Sequence, residues 1–423
     1  MTAAEAATAL GGAGAVVGDA RPGDAVAGVV PSYVAFPGTV GEAAGLMGEA
    51  AALGLAVVPR GSGSRISWGL PPTRCDLVAD MTRMDRVLEH AAGDLVVRVE
   101  AGVTLGRLGE VLAAAGQRLV LEGPASATVG GVIATGTAGP LRLRYGTPRD
   151  LLIGITVVRA DGHVAHSGGK VVKNVAGYDI GKLFAGSLGT LGLITEATFR
   201  LHPIAPASSY VTAEYDEVPP AAERVLAAAA SSLLASAAEV DRAGPGAPVR
   251  VSVLLEGTEP GVAERSARMT ELLGHDAETS GSPPPWWGQR GEAALPSAGT
   301  LVRAGFWAGR LRQTLEMIDR VAVDARVRPA VGGSAGAGVL YVSLDGGEDA
   351  GQVATFVRAL RAASGTGSAG PARGSVVVLT APAPVRAAVD LWGPVPALNL
   401  MRAVKGQFDP DNRMAPGRFA GGI

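Results

Sequence analysis

This 423-residue sequence predicts an α+β fold in two domains, with a C-terminal segment that returns to the first. Three observations lead there. Short β-branched runs alternate with helical repeats through the first half, with glycine-rich joins between them. Those joins stop near Ser208, where alanine-rich helices and new strands take over. A final helix is then cut off by Pro410 close to the end. The length suits two domains, each with a sizeable core.

In chain order, residues 1–27 are rich in Ala and Gly without periodicity and read as a mobile leader. Thr39-Val40-Gly41-Glu42 has the spacing of a capping box and opens a helix that runs to Gly54. Strands are expected over Leu55–Pro59 and Leu95–Glu100, and a helix from Thr104 to Ala115. Leu151–Val158 and Leu193–Leu201 supply further strands, with a short helix at Ile180–Ala185 before the last. Beyond Ser208, two alanine-rich helices are expected near 220–238 and 261–273, flanking a strand at Val249–Leu255. Gly281–Pro285 is a loop, because three successive prolines cannot occupy a helix interior. Trp286-Trp287 behind it reads as a packing plug or as a partner surface. Val339–Leu344 and Val376–Leu379 are strands, and Ser364–Gly374 is a Gly/Ser-rich connection.

Bulk properties narrow the function. The formal charge of −2 leaves no basic footprint for nucleic acid, and aromatics at 4% make base stacking along a strand an unpromising mode. The single cysteine, Cys75, excludes an internal disulfide framework or a cysteine-rich iron–sulfur site. No basic residue precedes Arg21, so no secretory signal is expected. The alanine-rich stretch Val225–Val240 is too short and too weakly apolar to cross a bilayer.

Three glycine-rich segments carry the chemistry. Pro59-Arg60-Gly61-Ser62-Gly63-Ser64 follows a strand, and its N–H and O–H donors suit an anion; taken by itself it reads more readily as a flexible surface turn. Pro124-Ala125-Ser126-Ala127-Thr128-Val129-Gly130-Gly131 leaves room for a planar ligand against bare backbone, or for close backbone packing. Gly186-Ser187-Leu188-Gly189-Thr190-Leu191-Gly192-Leu193-Ile194-Thr195 is a tight passage that feeds a strand. Lys173, Asn174, Tyr178 and Asp179 lie ahead of it, and Asp179 and Lys182 are spaced to pair on a helix surface.

Taken together, these runs resemble the FAD-binding domain of the vanillyl-alcohol oxidase/PCMH flavoprotein superfamily. The branch they are most similar to is the FAD-binding E subunit of bacterial glycolate oxidase. The resemblance covers roughly residues 28–205 and returns in the last 30 or so. It implies a PCMH-type two-subdomain FAD-binding module at 28–207, a second α+β (cap) domain at 208–395, and a return segment at 396–423. It assigns Arg60, Gly61, Ser62, Gly63 and Ser64 to the FAD phosphates. Pro124, Ala125, Thr128, Gly130, Gly131, Ala134 and Thr135 would run beside the flavin, together with Tyr145, Gly146 and Asp150 of the Arg-Tyr-Gly…Arg-Asp stretch. Arg144 in that stretch could hold a carboxylate or phosphate. Ser187, Gly189, Thr190, Gly192 and Ile194 would meet the adenosine half. Covalently flavinylated relatives carry a histidine near position 64, so Ser64 implies noncovalent FAD. The return segment of relatives closes with Asn-Pro-Gly, where this chain has Ala415-Pro416-Gly417.

The resemblance also marks an absence. Self-sufficient D-2-hydroxyacid oxidisers of the family carry a C-terminal Glu-His-Gly segment and a metal-binding histidine pair in the second domain. The five histidines here include none after His275. His163 and His166 belong to an apparent hairpin without a carboxylate cluster, so no metal site is expected. No general base is visible, and the catalytic residues stay unassigned. The implied role is the FAD-binding subunit of a multi-subunit 2-hydroxyacid (glycolate-type) dehydrogenase. Its partners would be a paired FAD-linked subunit and an iron–sulfur subunit. The protein would be cytoplasmic or held peripherally at the inner face of the membrane through those partners, with no transmembrane segment and no nucleic-acid partner. Two rivals remain: a self-sufficient FAD oxidoreductase of an alcohol or hydroxyacid, and a structural subunit with a decayed flavin site.

Overall fold

The computed structural model describes residues 3–170, 177–274, 276–290, 299–366 and 374–423. Lys173 and Asn174 lie outside the described residues, as does most of the Ser364–Gly374 connection. The chain divides into two compact units. The first comprises Met1–Thr137, Thr147–Ile204 and Ala397–Ile423, and the second Ala138–Gly146 and Ala205–Pro396.

The first unit opens with α1 (Ala3–Gly12) and β1 (Val16–Asp19), inside the segment read from sequence as a mobile leader. Leu10 is fully buried against Leu46, Met47 and Leu77, so apolar burial gives this stretch a fixed place despite its weak periodicity. β1 pairs antiparallel with β2 (Tyr33–Phe36). Next comes α2 (Val40–Ala52), where the Thr39 hydroxyl accepts the Glu42 N–H at 3.1 Å and the Glu42 carboxylate accepts the Gly38 N–H at 2.8 Å. β3 (Val57–Arg60) and β4 (Leu77–Asp80) complete a four-stranded sheet of order β1-β2-β4-β3, parallel from β2 onward.

A second sheet follows. Its strands are β5 (Val87–Ala91) and β6 (Val96–Glu100), and, further along the chain, β8 (Leu152–Val158), β9 (Val164–Gly168) and β10 (Leu193–Arg200). Their order is β5-β6-β10-β8-β9, antiparallel throughout. Between β6 and β8 come α3 (Leu105–Ala113), β7 (Gln117–Arg118), α4 (Val129–Thr135), α5 (Arg142–Tyr145) and α6 (Pro148–Leu151). The short α7 (Gly181–Phe184) precedes β10, and β11 (His202–Pro203) pairs with β7. The β8–β9 hairpin holds His163 and His166; His166 shares a hydrogen bond with the Thr156 hydroxyl at 3.0 Å. No group of three potential metal ligands occurs among the described residues.

The second unit is built on one antiparallel sheet of eight strands. These are β12 (Ala207–Tyr215), β13 (Ala237–Arg242), β14 (Val249–Gly257), β15 (Glu278–Ser280), β16 (Thr300–Gly305), β17 (Ala330–Ser334), β18 (Val339–Leu344) and β19 (Ser375–Thr380). Their order is β15-β12-β14-β13-β17-β18-β16-β19. The helices are α8 (Val218–Ala230), α9 (Glu259–Leu273), α10 (Leu311–Ala325), α11 (Ala350–Ala363) and α12 (Ala383–Ala388). The expected helix over 220–238 is thus corrected. It stops at Ala230, and Ala237–Arg242 is a fully buried strand whose neighbours on both sides satisfy its backbone. Trp287 packs edge-on against Tyr210 with ring centroids 5.0 Å apart, and the Arg250 guanidinium lies 5.5 Å from the Trp286 ring centre. The pair therefore packs on β12 and β14.

The C-terminal helix α13 (Leu398–Phe408) belongs to the first unit and ends before Pro410. The segment behind it lies beside β3: Val57 donates to Arg413 O, and Ala415 donates to Val57 O, both at 2.8 Å. No helix among the described residues is long and apolar enough to cross a membrane.

Candidate functional site

The turn after β3 folds against the start of α4, and the reason is steric. A Cβ on Gly61 would sit 1.9 Å from Thr128 Oγ1, so only glycine lets the two segments meet. Thr128 caps α4, its hydroxyl accepting the Gly131 N–H at 3.3 Å. The Val129 and Gly130 N–H groups are spent on Val103 O and Ala101 O, so the first turn of α4 is satisfied from within the protein. The turn itself is different. The backbone N–H groups of Gly61, Ser62, Gly63 and Ser64 donate to nothing among the described residues.

The third motif wraps the other end of α4. Gly186 donates to Ile133 O at 2.9 Å and Leu188 to Ala134 O at 2.8 Å. Gly189 has φ +77°, and a Cβ there would lie 2.9 Å from the Pro59 ring. Gly192 would meet Val158 O at 2.7 Å, and Gly130 would meet the Ala101 methyl at 2.8 Å. These glycines are demanded by the protein's own packing. Gly131, by contrast, meets only the Thr128 hydroxyl, at 3.0 Å.

Together the three segments enclose a cleft with two lobes. One, of about 530 Å³, is lined by Arg60, Gly61, Ser62, Gly63, Ser64, Thr128, Gly131, Ala134, Thr135 and Gly189. Pro59, Arg65, Ile66, Ala127, Leu188 and Arg418 complete its wall, residues to which the sequence assigns no ligand role. The other lobe, of about 380 Å³, shares Pro59, Arg60, Gly61, Thr128, Gly131, Ala134 and Gly189 and adds Gly130, Gly192 and Ile194 beside Met81 and Ala101. Neither wall contains a carboxylate among the described residues.

Several expected contacts lie elsewhere. Pro124 and Ala125 are not in the wall of either lobe; they form the turn before α4, where Ala125 O accepts from Gly106. Ser187 and Thr190 are buried within the third motif and outside both walls, with the Thr190 hydroxyl donating to Ser187 O at 2.7 Å. Asp150 caps α6, accepting from the Thr147 N–H and hydroxyl, each at 2.8 Å. Burial opposes its ionisation, but those bonds hold its carboxyl below the usual range. Tyr145 and Gly146 belong to the second unit. There the Tyr145 hydroxyl donates to Glu256 at 2.9 Å and Arg142 donates to the Tyr341 hydroxyl at 2.8 Å. Arg144 reaches Ser236 at 3.5 Å. Asp179 pairs with Lys182 at 2.7 Å, the surface pairing that their spacing allows.

The cations of the cleft differ in how they are compensated. Arg60 bridges Asp24 and Asp80, each at 2.8 Å; burial works against its charge and the two carboxylates outweigh it. Arg65 lies 5.2 Å from the Trp68 ring centre. Arg418 is 3% exposed and pairs with no carboxylate among the described residues. Burial pushes its guanidinium down to about 10.

Comparison with known proteins identifies the class. Residues 31–168 match the family model described as an FAD binding domain. The matched residues lie mostly within the first unit, and FAD is the cofactor they indicate. The donor set fits that assignment: a turn of free N–H groups and a buried cation for a diphosphate, and small residues along α4 for a flat ring. In sequence, the chain is 35% identical over 201 residues to an uncharacterized FAD-linked oxidoreductase of Mycobacterium tuberculosis, covering 47% of this chain and 44% of that protein. It is 38% identical over 173 residues to glycolate oxidase subunit GlcD of Bacillus subtilis, covering 40% and 36%. It is 31% identical over 251 residues to the mitochondrial D-lactate dehydrogenase [cytochrome] of Arabidopsis thaliana, covering 59% and 43%. The chain thus matches less than half the length of each of these relatives. In fold it is similar to alkyldihydroxyacetonephosphate synthase, with a TM-score of 0.69 at 18% identity over 92% of this chain and 76% of that one. It is equally similar to p-cresol methylhydroxylase, at 0.69 and 16% identity, over 92% and 88%. The fold is thus that of the PCMH-type flavoproteins, α+β in both units.

Proposed function

We propose that the chain is the FAD-binding subunit of a multi-subunit 2-hydroxyacid dehydrogenase of the glycolate type, cytoplasmic and held at a membrane only through partners. When bound, FAD supplies the two-electron chemistry, while the protein supplies binding, orientation and electrostatics. The observation that carries this reading is the make-up of the cleft. Among the described residues it has free N–H donors and cations for the cofactor, but no His, Asp, Glu, Lys, Tyr or Cys on its wall to take a proton from substrate. A positioned general base typically contributes about 10²–10⁴-fold. That contribution, and onward electron transfer, are assigned to a paired flavoprotein subunit and an iron–sulfur subunit. The match to a protein named as a glycolate oxidase subunit supports the division of labour.

The test is anaerobic reduction of the purified holoprotein by glycolate and by D-lactate, alone and after co-expression with candidate partner subunits. The lone protein should hold FAD and bleach slowly or not at all, with rapid bleaching once the partners are present. Rapid bleaching of the lone protein would favour a self-sufficient oxidoreductase instead.

A further inference from the structure

Arg418 is the least compensated charge in the cleft. Its residue is 97% buried, with no carboxylate partner among the described residues, and Nε has no hydrogen-bond partner there. Its Nη2 donates to Ile66 O at 2.6 Å and to Trp68 O at 2.7 Å, and its backbone carbonyl accepts from Leu70 at 3.0 Å. The side chain is therefore held in position by the 66–68 loop. A cation buried in this way is costly to the fold unless an anion completes it. The same lobe presents the free N–H groups of Gly61–Ser64, and among the described residues no acidic side chain on its wall competes for either set of donors.

We propose that Arg418 is the counter-charge for the diphosphate of FAD, acting together with the N–H groups of the 61–64 turn. This rests on the reading of the cleft as the FAD site and adds to it a residue from the opposite end of the chain. The return segment thereby becomes part of the cofactor site: Arg418 lines the same lobe as the turn, although the family asparagine is replaced by Ala415. Charge-assisted contacts of this kind change affinity about 10- to 100-fold when removed.

The experiment uses the full chain freed of flavin, with FAD, ADP, riboflavin and inorganic pyrophosphate as probes, read by flavin fluorescence quenching, competition and melting temperature. Arg418→Gln should weaken FAD and ADP about 10- to 100-fold, leave riboflavin unchanged, and flatten the salt dependence of FAD binding. Arg418→Lys should recover part of the loss. An equal loss for FAD and riboflavin would show that Arg418 only pins the 66–68 loop, and would overturn the proposal. Should Arg418→Gln fail to fold, the wild-type protein decides. Pyrophosphate must compete with FAD and raise the melting temperature. FAD binding that pyrophosphate does not affect overturns the role of Arg418 alone. A wild-type chain that takes up neither overturns the cofactor reading of the cleft as well.

Discussion

Cys75 and Gly61 show how far single residues are committed to the first unit. Burial, reinforced by Asp76, pushes the Cys75 thiol up to about 12 from an ordinary value of 9.0. The folded chain thus holds a proton that the unfolded chain has lost. The resulting stability is fully present below pH 9 and is lost as pH rises toward 12. Denaturant unfolding at pH 8 and pH 10 should show a fall in stability that Cys75→Ala lacks. Gly61→Ala places a methyl on Thr128 and should cost about 1–3 kcal/mol, the usual price of overpacking. Gly48→Ala in α2, where a Cβ meets nothing within 4 Å, should instead be neutral or stabilising by about 0.5–1 kcal/mol. Urea unfolding of both variants checks the contrast, and equal effects would contradict it. The 61–64 turn was legible in the sequence because its donors are neighbours in the chain. Arg418 was not, because nothing local ties it to a turn some 350 residues earlier.

At the scale of elements, α13 and the segment behind it are clasped to the third glycine motif by Lys405. Its ammonium donates to Thr190 O at 2.8 Å, Asp409 at 2.7 Å and Met414 O at 2.8 Å. Burial lowers the pKa of Lys405, with Asp409 opposing the shift. Asp409 in turn accepts from the Arg413 and Met414 N–H groups. Lys405→Met leaves that buried carboxylate without its cation and should destabilise by about 3–5 kcal/mol. A melting temperature unchanged from wild type would show that the clasp is not needed. Ala415, in place of the family asparagine, sits at φ +44°, a region where asparagine is at ease and alanine is strained. That strain bears on backbone shape, and Ala415 is buried among Val26, Val58 and Val78. The elements that sequence periodicity missed share one cause. Alanine favours helix intrinsically, so the break at Ser231–Ser236 and the buried strand after it read as more helix. Likewise, no local feature reveals that residues 138–146 join the second unit.

For the whole molecule, two folded units and a returning tail were visible in the sequence because glycine joins mark the first and vanish in the second. The two-lobed cleft was visible only in part, since its wall combines three distant segments with the C-terminus. Ser64 stands where the resemblance places a histidine in covalently flavinylated relatives, and no His or Cys among the described residues lines the cleft. The central claim is that this cleft holds FAD without a covalent bond. Acid precipitation of the purified chain tests it most directly. Stoichiometric FAD should be released, all of it into the supernatant, and the Gly131→Val variant should be folded but largely colourless. Flavin left in the pellet, or a wild-type chain with no flavin and no capacity to take it up, would contradict it.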